Sequence, residues 1–139
     1  VLLQLFQSLH LDDPLIVVPM NDGSRTVELS HGTTRYVVEG ERNGGPLVVL
    51  VHGFVGSSEN LSHLAKDLAN RHNRRVLRHD NYGRGWSPDD GSPHTPAHFS
   101  SQLAELLFTL GSKLTSGPNG DGGNSIDICG YSMGGVIAA

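Results

Sequence analysis

The stretch IDICGYSMGG at residues 126–135 decides the fold, because it places G-x-S-x-G between a strand signal and a helix signal. Its first five residues favour a strand, and the small residues after Ser132 favour a helix. The chain must reverse sharply at such a serine, so a Cβ at Gly130 or Gly134 would clash. The pattern predicts an exposed, strained serine, with the N–H of Met133 beside it at a helix start. The other interpretation is a glycine-rich turn whose serine only caps the helix.

A second motif, HGF at residues 52–54, follows the unbroken apolar run LVVLV at 47–51. Such a run is typical of a strand buried on both faces of a parallel sheet. Acyl transfer needs two donors for the developing oxyanion, and the N–H of Phe54 is a candidate for the second donor. Gly53 supports this turn, and we interpret His52 as an organiser of the loop, not as a base. The alternative is a His-Gly turn with purely local contacts.

A third motif, DNYGRGWS at residues 80–87, has the form D-x-x-G-x-G-x-S and follows a short strand signal. We interpret it as a shaped loop beside the site, with pocket lining by Trp86 as the alternative. Because Pro88 stands where a glycine would be needed, the motif is not G-x-G-x-x-G. This disfavours a dinucleotide site, and with it a Rossmann-like module whose glycine-rich loops cradle phosphate.

The order of elements predicts an α/β fold, a mostly parallel sheet with helices on both faces. Two alternating segments around His31-Gly32 predict a hairpin, and apolar residues at helical spacing predict two helices. The carboxyl ends of parallel strands carry the chemistry in such sheets, which places three loops at the site. The predicted elements are strands at 26–30, 34–38, 47–51, 75–80 and 126–130, a helix carrying Leu61, Leu64, Ala65 and Leu68, and a helix carrying Phe99, Leu103, Leu106, Leu107, Leu110 and Leu114.

The composition excludes several classes of partner. The net charge is −4 and no basic run occurs, so we expect no nucleic-acid partner. We expect no membrane span and no signal peptide. The single Cys129, which we expect to pack inside a strand, is compatible with a reducing compartment, so a cytoplasmic location is favoured. His94 and His98 lie four residues apart, but Pro96 intervenes and no acidic partner completes a zinc motif, so we expect no metal site.

Taken together, the motifs at 52–54, 80–87 and 130–135 resemble those of the α/β-hydrolase superfamily in order and spacing. The resemblance implies the first part of an eight-stranded sheet and a serine nucleophile at Ser132. It also implies cleavage of ester or related acyl bonds in a small-molecule substrate, without a cofactor. Serine at this position argues against the family's epoxide hydrolases and dehalogenases, which place aspartate there.

The sequence departs from the family pattern after the serine. The family's triad runs serine, acid, histidine along the chain, but only seven residues follow Ser132, and the last histidine is His98. We therefore expect the triad acid and base to be absent from this chain, the sheet to be incomplete, and the chain alone to be inactive. The predicted organisation is an N-terminal extension (1–25) and a partial hydrolase domain (26–139). The alternative is a naturally truncated, non-catalytic binding module with the same fold.

Overall fold

A computed structural model describes residues 18–115 and 125–139 of the chain. Within these residues one sheet contains six strands, namely β1 (Val18–Pro19), β2 (Arg25–Leu29), β3 (Gly32–Glu39), β4 (Leu47–Val51), β5 (Arg75–His79) and β6 (Ile126–Gly130). The helices are α1 (Ser62–His72), preceded by a 3-10 turn (Ser58–Leu61), α2 (Pro96–Thr115) and α3 (Met133–Ala138). The predicted loop at 116–124 lies outside the described residues.

The strands lie in the order β1-β2-β3-β5-β4-β6. Strand β4 lies between β5 and β6 and pairs in parallel with both, whereas β3 pairs antiparallel with β5, and β2 antiparallel with β3. The predicted hairpin is confirmed, since Leu29 pairs with Gly32 across the turn. The short strand β1 pairs with β2 and lies in the segment that the sequence analysis assigned to the N-terminal extension. The α/β fold is therefore confirmed.

Helices cover both faces of β4, as the apolar run predicted. Val49 and Val51 lie in the cluster that includes the buried side of α2, and Val48 and Leu50 lie in the cluster that includes α1. The predicted leucine stripe of α2 is confirmed, with Leu106 fully buried. The strand is thus buried on both sides because its alternate side chains enter two separate cores.

Local signals set the ends of α1. The hydroxyl of Ser57 accepts the Glu59 N–H at 3.3 Å, while the Asn60 side chain accepts the Ser57 N–H at 2.9 Å. This reciprocal pair is a capping box, so Ser57 caps the 3-10 turn that leads into α1. At the other end Asn73 adopts φ 52°, and the N–H groups of Asn73 and Arg74 bond the Leu68 carbonyl. Leu64, one of the four apolar residues whose spacing predicted α1, is 44% exposed and does not lie in the core.

The last strand forms the edge of the described sheet. Ile126 and Ile128 are 39% and 41% exposed, in agreement with the expected incomplete sheet. Cys129 is exposed too, so the expectation that it packs inside a buried strand was wrong. The reason is that β6 has a partner on one side only, and none of the described elements covers its outer part. In the described ranges, we find no helix with the length and apolar character needed to cross a bilayer.

Candidate active site

The three predicted loops meet at one edge of the sheet. Val51 pairs with Gly130, so β4 and β6 end side by side and their following loops become neighbours. An added Cβ on Gly53 would lie 3.2 Å from the Ser132 Cβ, which shows how closely the first and third loops approach. The structure thereby brings the HGF and G-x-S-x-G motifs together.

Ser132 occupies an unusual backbone conformation, with φ 56° and ψ −123°. Asn73 and Ser132 are the non-glycine residues with positive φ in the described chain. Ser132 is exposed, and its hydroxyl does not cap α3. Hydrogen bonds fix this turn, since the Tyr131 N–H donates to the Val51 carbonyl and the Gly135 N–H donates to the Ser132 carbonyl, each at 2.9 Å. The surrounding contacts therefore hold a strained serine outward, away from its helix.

Two glycines make this turn sterically feasible. A Cβ on Gly130 would lie 2.0 Å from the Gly134 carbonyl oxygen, and one on Gly134 would lie 2.1 Å from the Val51 oxygen. Both distances are far inside van der Waals contact with backbone atoms, which cannot rotate away. By contrast, a Cβ on Gly135 would meet its nearest neighbour at 3.7 Å. The requirement for glycine is thus confined to the two positions where strand and helix touch.

His52 is buried and uses both ring nitrogens. Its Nδ1 lies 2.7 Å from the Gly53 carbonyl oxygen, and its Nε2 accepts the Asn81 N–H at 3.1 Å. These two contacts define the neutral tautomer with the proton on Nδ1. Burial lowers the pKa of His52, although the Gly53 carbonyl and Asp80 oppose that effect. The ring therefore connects the first loop to the second and has no nitrogen left for a serine hydroxyl.

Two backbone N–H groups near Ser132 have no acceptor within the described residues. Met133 opens α3, and N–H groups in the first turn of a helix have no partner inside the helix. Phe54 lies in the first loop with its side chain 48% exposed, and its N–H forms no backbone bond among the described residues. Both N–H groups thus lack a partner among the described residues, and their role as oxyanion donors stays a prediction.

Arg84 holds the first loop from the second. Its Nε donates to the Phe54 carbonyl oxygen at 2.7 Å, and its guanidinium carbon lies 4.5 Å from the centre of the Phe54 ring. Since the carbonyl and the N–H belong to one residue, these contacts orient the backbone of Phe54. The sequence placed the second motif beside the site but gave no signal that Arg84 reaches a residue thirty positions upstream.

Asp80 organises the second loop. Its carboxylate accepts the N–H groups of Ser58 at 2.8 Å and Trp86 at 3.0 Å, and it lies 3.4 Å from a guanidinium nitrogen of Arg35. Burial alone would raise the pKa of Asp80, but these donors lower it below its usual value. A Cβ on Gly85 would lie 2.3 Å from the same carboxylate. The predicted loop-shaping role agrees with these contacts, whereas Trp86 is 67% exposed.

His79 lies at the end of β5 and is fully buried. The Asn81 side chain lies beside the ring, but neither ring nitrogen has a hydrogen bond of good geometry among the described residues. Burial, together with the nearby His52, lowers the pKa of His79 to about 4. This histidine is therefore neutral at physiological pH and cut off from solvent.

The histidine pair noted in the sequence is not brought together. His94 contacts Asp89 at 3.3 Å, and His98 contacts Asp90 at 2.8 Å. Each of these histidines therefore has an acidic partner from the same loop, which the spacing of the histidines did not reveal.

Comparison with known proteins places these features in a family. The family model described as "Serine aminopeptidase, S33" matches residues 45–139. The chain is 42% identical over 107 residues to proline iminopeptidase of Lactobacillus helveticus strain DPC 4571, a match that covers 76% of this chain and 33% of that protein. It is 33% identical over 115 residues to the sn-1-specific diacylglycerol lipase ABHD11 of Xenopus tropicalis, a match that covers 83% of this chain and 31% of that protein.

Solved structures share the fold. Epoxide hydrolase VrEH1 from Vigna radiata superposes with a TM-score of 0.65 at 22% identity, over 82% of this chain and 33% of that one. At this identity the likeness concerns the fold alone. This chain spans about a third of the length of the curated relatives described above.

Proposed function

Because the chain belongs to the α/β-hydrolase family described as serine aminopeptidase S33, we propose that Ser132 is the nucleophile of a serine hydrolase. In this proposal the enzyme cleaves ester or related acyl bonds through an acyl-enzyme, and this chain supplies the nucleophile and the oxyanion donors. The observation that carries the proposal is the strained, exposed backbone of Ser132 between β6 and α3. Such strain persists only where surrounding contacts impose it, and it concentrates at functional sites.

The proposed first step forms a bond between Ser132 Oγ and the carbonyl carbon of the substrate. The hydroxyl proton passes to a general base, and the carbonyl oxygen becomes an oxyanion. The N–H groups of Phe54 and Met133 then donate to that oxyanion. Collapse of the intermediate breaks the bond to the leaving group, which takes up the proton. Water then attacks the acyl carbon while the general base takes its proton. The bond to Ser132 Oγ breaks, Oγ takes up the proton, and the acid is released.

The general base of this proposal lies outside the described residues. His52 is a poor candidate because both its nitrogens are committed to the backbone. His79 is equally poor, because it is fully buried and its pKa is lowered to about 4. The family resemblance implies a histidine and an acid that follow the serine in the chain.

The substrate class is proposed only as an acyl compound. The relatives are named as a peptidase, a lipase and an esterase, all of which fit attack at an acyl carbon. The fold match to an epoxide hydrolase carries no chemistry to this chain, because the identity is only 22%. The family resemblance also implies aspartate, not serine, at the nucleophile position of epoxide hydrolases, whereas this chain has Ser132 there.

The test uses two substitutions of Phe54 in a polypeptide that continues this chain to the length of its relatives. Phe54→Pro removes the proposed donor, and loss of one such donor lowers kcat by about 10²–10³-fold. Phe54→Leu keeps the backbone N–H and should cost far less. Equal rates of p-nitrophenyl ester hydrolysis by the two variants would refute the donor assignment. Turnover that survives Ser132→Ala would refute the assignment of Ser132 as the nucleophile. Complete lack of turnover by the unsubstituted polypeptide would favour a non-catalytic binding module.

A further inference from the structure

Three side chains from separate parts of the sequence meet beside the second loop. His31 lies in the β2–β3 turn, Asp90 near the end of the second loop, and His98 in the first turn of α2. His98 Nε2 lies 2.8 Å from Asp90 Oδ2, and His31 Nδ1 lies 3.5 Å from the same oxygen. All three potential ligand atoms lie within 4.8 Å of one another. One carboxylate oxygen is thus shared by two imidazole nitrogens.

Contacts around the cluster hold the carboxylate in place. Asp90 Oδ1 accepts the Ser92 N–H at 3.0 Å, which leaves Oδ2 directed at the two histidines. The side chain of Asp90 is only 4% exposed. Burial opposes its ionisation, but hydrogen bonds from Ser92 and His98 lower the pKa of Asp90. It is therefore a carboxylate at neutral pH, as a metal ligand must be.

Aromatic packing fixes the ring of His98. Tyr82 stacks on it with ring centres 5.5 Å apart and planes at 29°, and His31 meets it edge-on at 5.0 Å. The His98 side chain is 14% exposed, whereas that of His31 is 53% exposed. Two ligands are thus held in position, and the third stands at the solvent side with freedom to adjust.

We propose that His31, Asp90 and His98 bind a divalent transition-metal ion of the Zn²⁺ class. Two imidazoles and one carboxylate suit zinc, while Mg²⁺ and Ca²⁺ prefer oxygen ligands alone. Bond lengths of 2.0–2.2 Å place the ligand atoms of a tetrahedral zinc site about 3.4 Å apart, inside the range of separations that the cluster spans. Three protein ligands leave the fourth position to water.

Such an ion would add a further link between segments that lie far apart in the sequence. It would join the β2–β3 turn to the start of α2 and to the loop that also carries Arg84. None of the three proposed ligands has a role in the proposed hydrolase reaction, so the metal site does not depend on that activity.

The experiment is isothermal titration calorimetry, in which ZnCl₂ is added to the tag-free protein in a buffer that does not chelate metals. We expect one equivalent to bind. The half-exposed His31 is the first position to change, because His31→Gln removes a ligand with little risk to folding. It should weaken binding by at least about 10-fold, since even loss of a supporting group around a metal costs 10–100-fold. His98→Gln should do the same.

The matched control is His94→Gln, which removes a histidine of the same loop that contacts Asp89 instead. This variant should bind zinc as the unchanged protein does. Circular dichroism establishes that each variant is folded, and Co²⁺ provides an independent readout through its visible absorption in a tetrahedral site. Absence of stoichiometric binding would overturn the proposal. Equal weakening by His94→Gln, or unchanged affinity in His31→Gln and His98→Gln, would overturn it as well.

Discussion

Replacing Gly134 by alanine adds one methyl group where the structure has no space for it. The new Cβ would lie 2.1 Å from the Val51 oxygen, whereas ordinary contacts begin at 3.4 Å, so the two backbones must separate by about 1.3 Å (3.4 − 2.1). Overpacking of this kind typically costs about 1–3 kcal/mol. The cost should lie at the upper end here, because the added Cβ meets backbone atoms, which cannot rotate away. The better helix propensity of alanine returns about 1 kcal/mol. We therefore expect a net loss of about 2 kcal/mol in the free energy of unfolding.

The neighbouring glycine provides the control. Gly135→Ala brings the same gain in helix propensity, but its Cβ would meet only the Gly130 oxygen at 3.7 Å. This variant should be more stable than the parent by about 0.5–1 kcal/mol, which separates the two variants by about 3 kcal/mol. Urea unfolding followed by far-ultraviolet circular dichroism measures both. If the two substitutions change stability equally, the close contact between β4 and α3 does not exist as described.

Three further predictions concern the second loop and its surroundings. The pKa of His79 is about 4 in the fold and about 6.5 in an unfolded chain, so stability should fall by about 3 kcal/mol as the pH drops from 6.5 to 4. His79→Asn should make that slope shallower in urea unfolding at a series of pH values, with the lowered pKa of His52 accounting for part of what remains, and an unchanged slope would contradict the assignment. Arg84→Lys loses the Nε donor and the guanidinium group over the Phe54 ring, so amide exchange at residues 54–56 should accelerate in mass spectrometry. Unchanged exchange would show that Arg84 does not hold the loop. Gly85→Ala should destabilise the protein by more than about 1 kcal/mol, because its φ of 53° and the Asp80 carboxylate at 2.3 Å both exclude a Cβ; a neutral effect would mean that the loop can relax.

Local patterns in the sequence predicted the sheet and the serine turn. The run 47–51 had to be buried on both faces because it contains no polar residue, and β4 is buried throughout. Gly130 and Gly134 signalled a close approach of two backbones, and their measured clearances agree. Features that depend only on residues close together in the sequence, such as these two, could therefore be predicted from it.

Contacts between distant segments were not predictable in the same way. Nothing near Arg84 indicates that its partner is Phe54, because that pairing depends on the parallel order of the strands. The spacing of His94 and His98 drew attention to the wrong pair, since the loop directs each ring to a different aspartate. Cys129 was assigned to a buried position because its neighbours are apolar, but burial also requires an element that covers the strand.

A fluorophosphonate probe tests most directly whether Ser132 is an activated nucleophile. The probe forms a covalent bond with an activated serine, and peptide mapping by mass spectrometry locates the label. The account predicts labelling at Ser132 in a polypeptide of the relatives' full length and no labelling in residues 1–139 alone, because general-base assistance contributes about 10²–10⁴-fold. Labelling of the full-length polypeptide at another serine would contradict the assignment of Ser132. Labelling of residues 1–139 at Ser132 that disappears in His52→Ala or His79→Ala would show that the base lies within this chain.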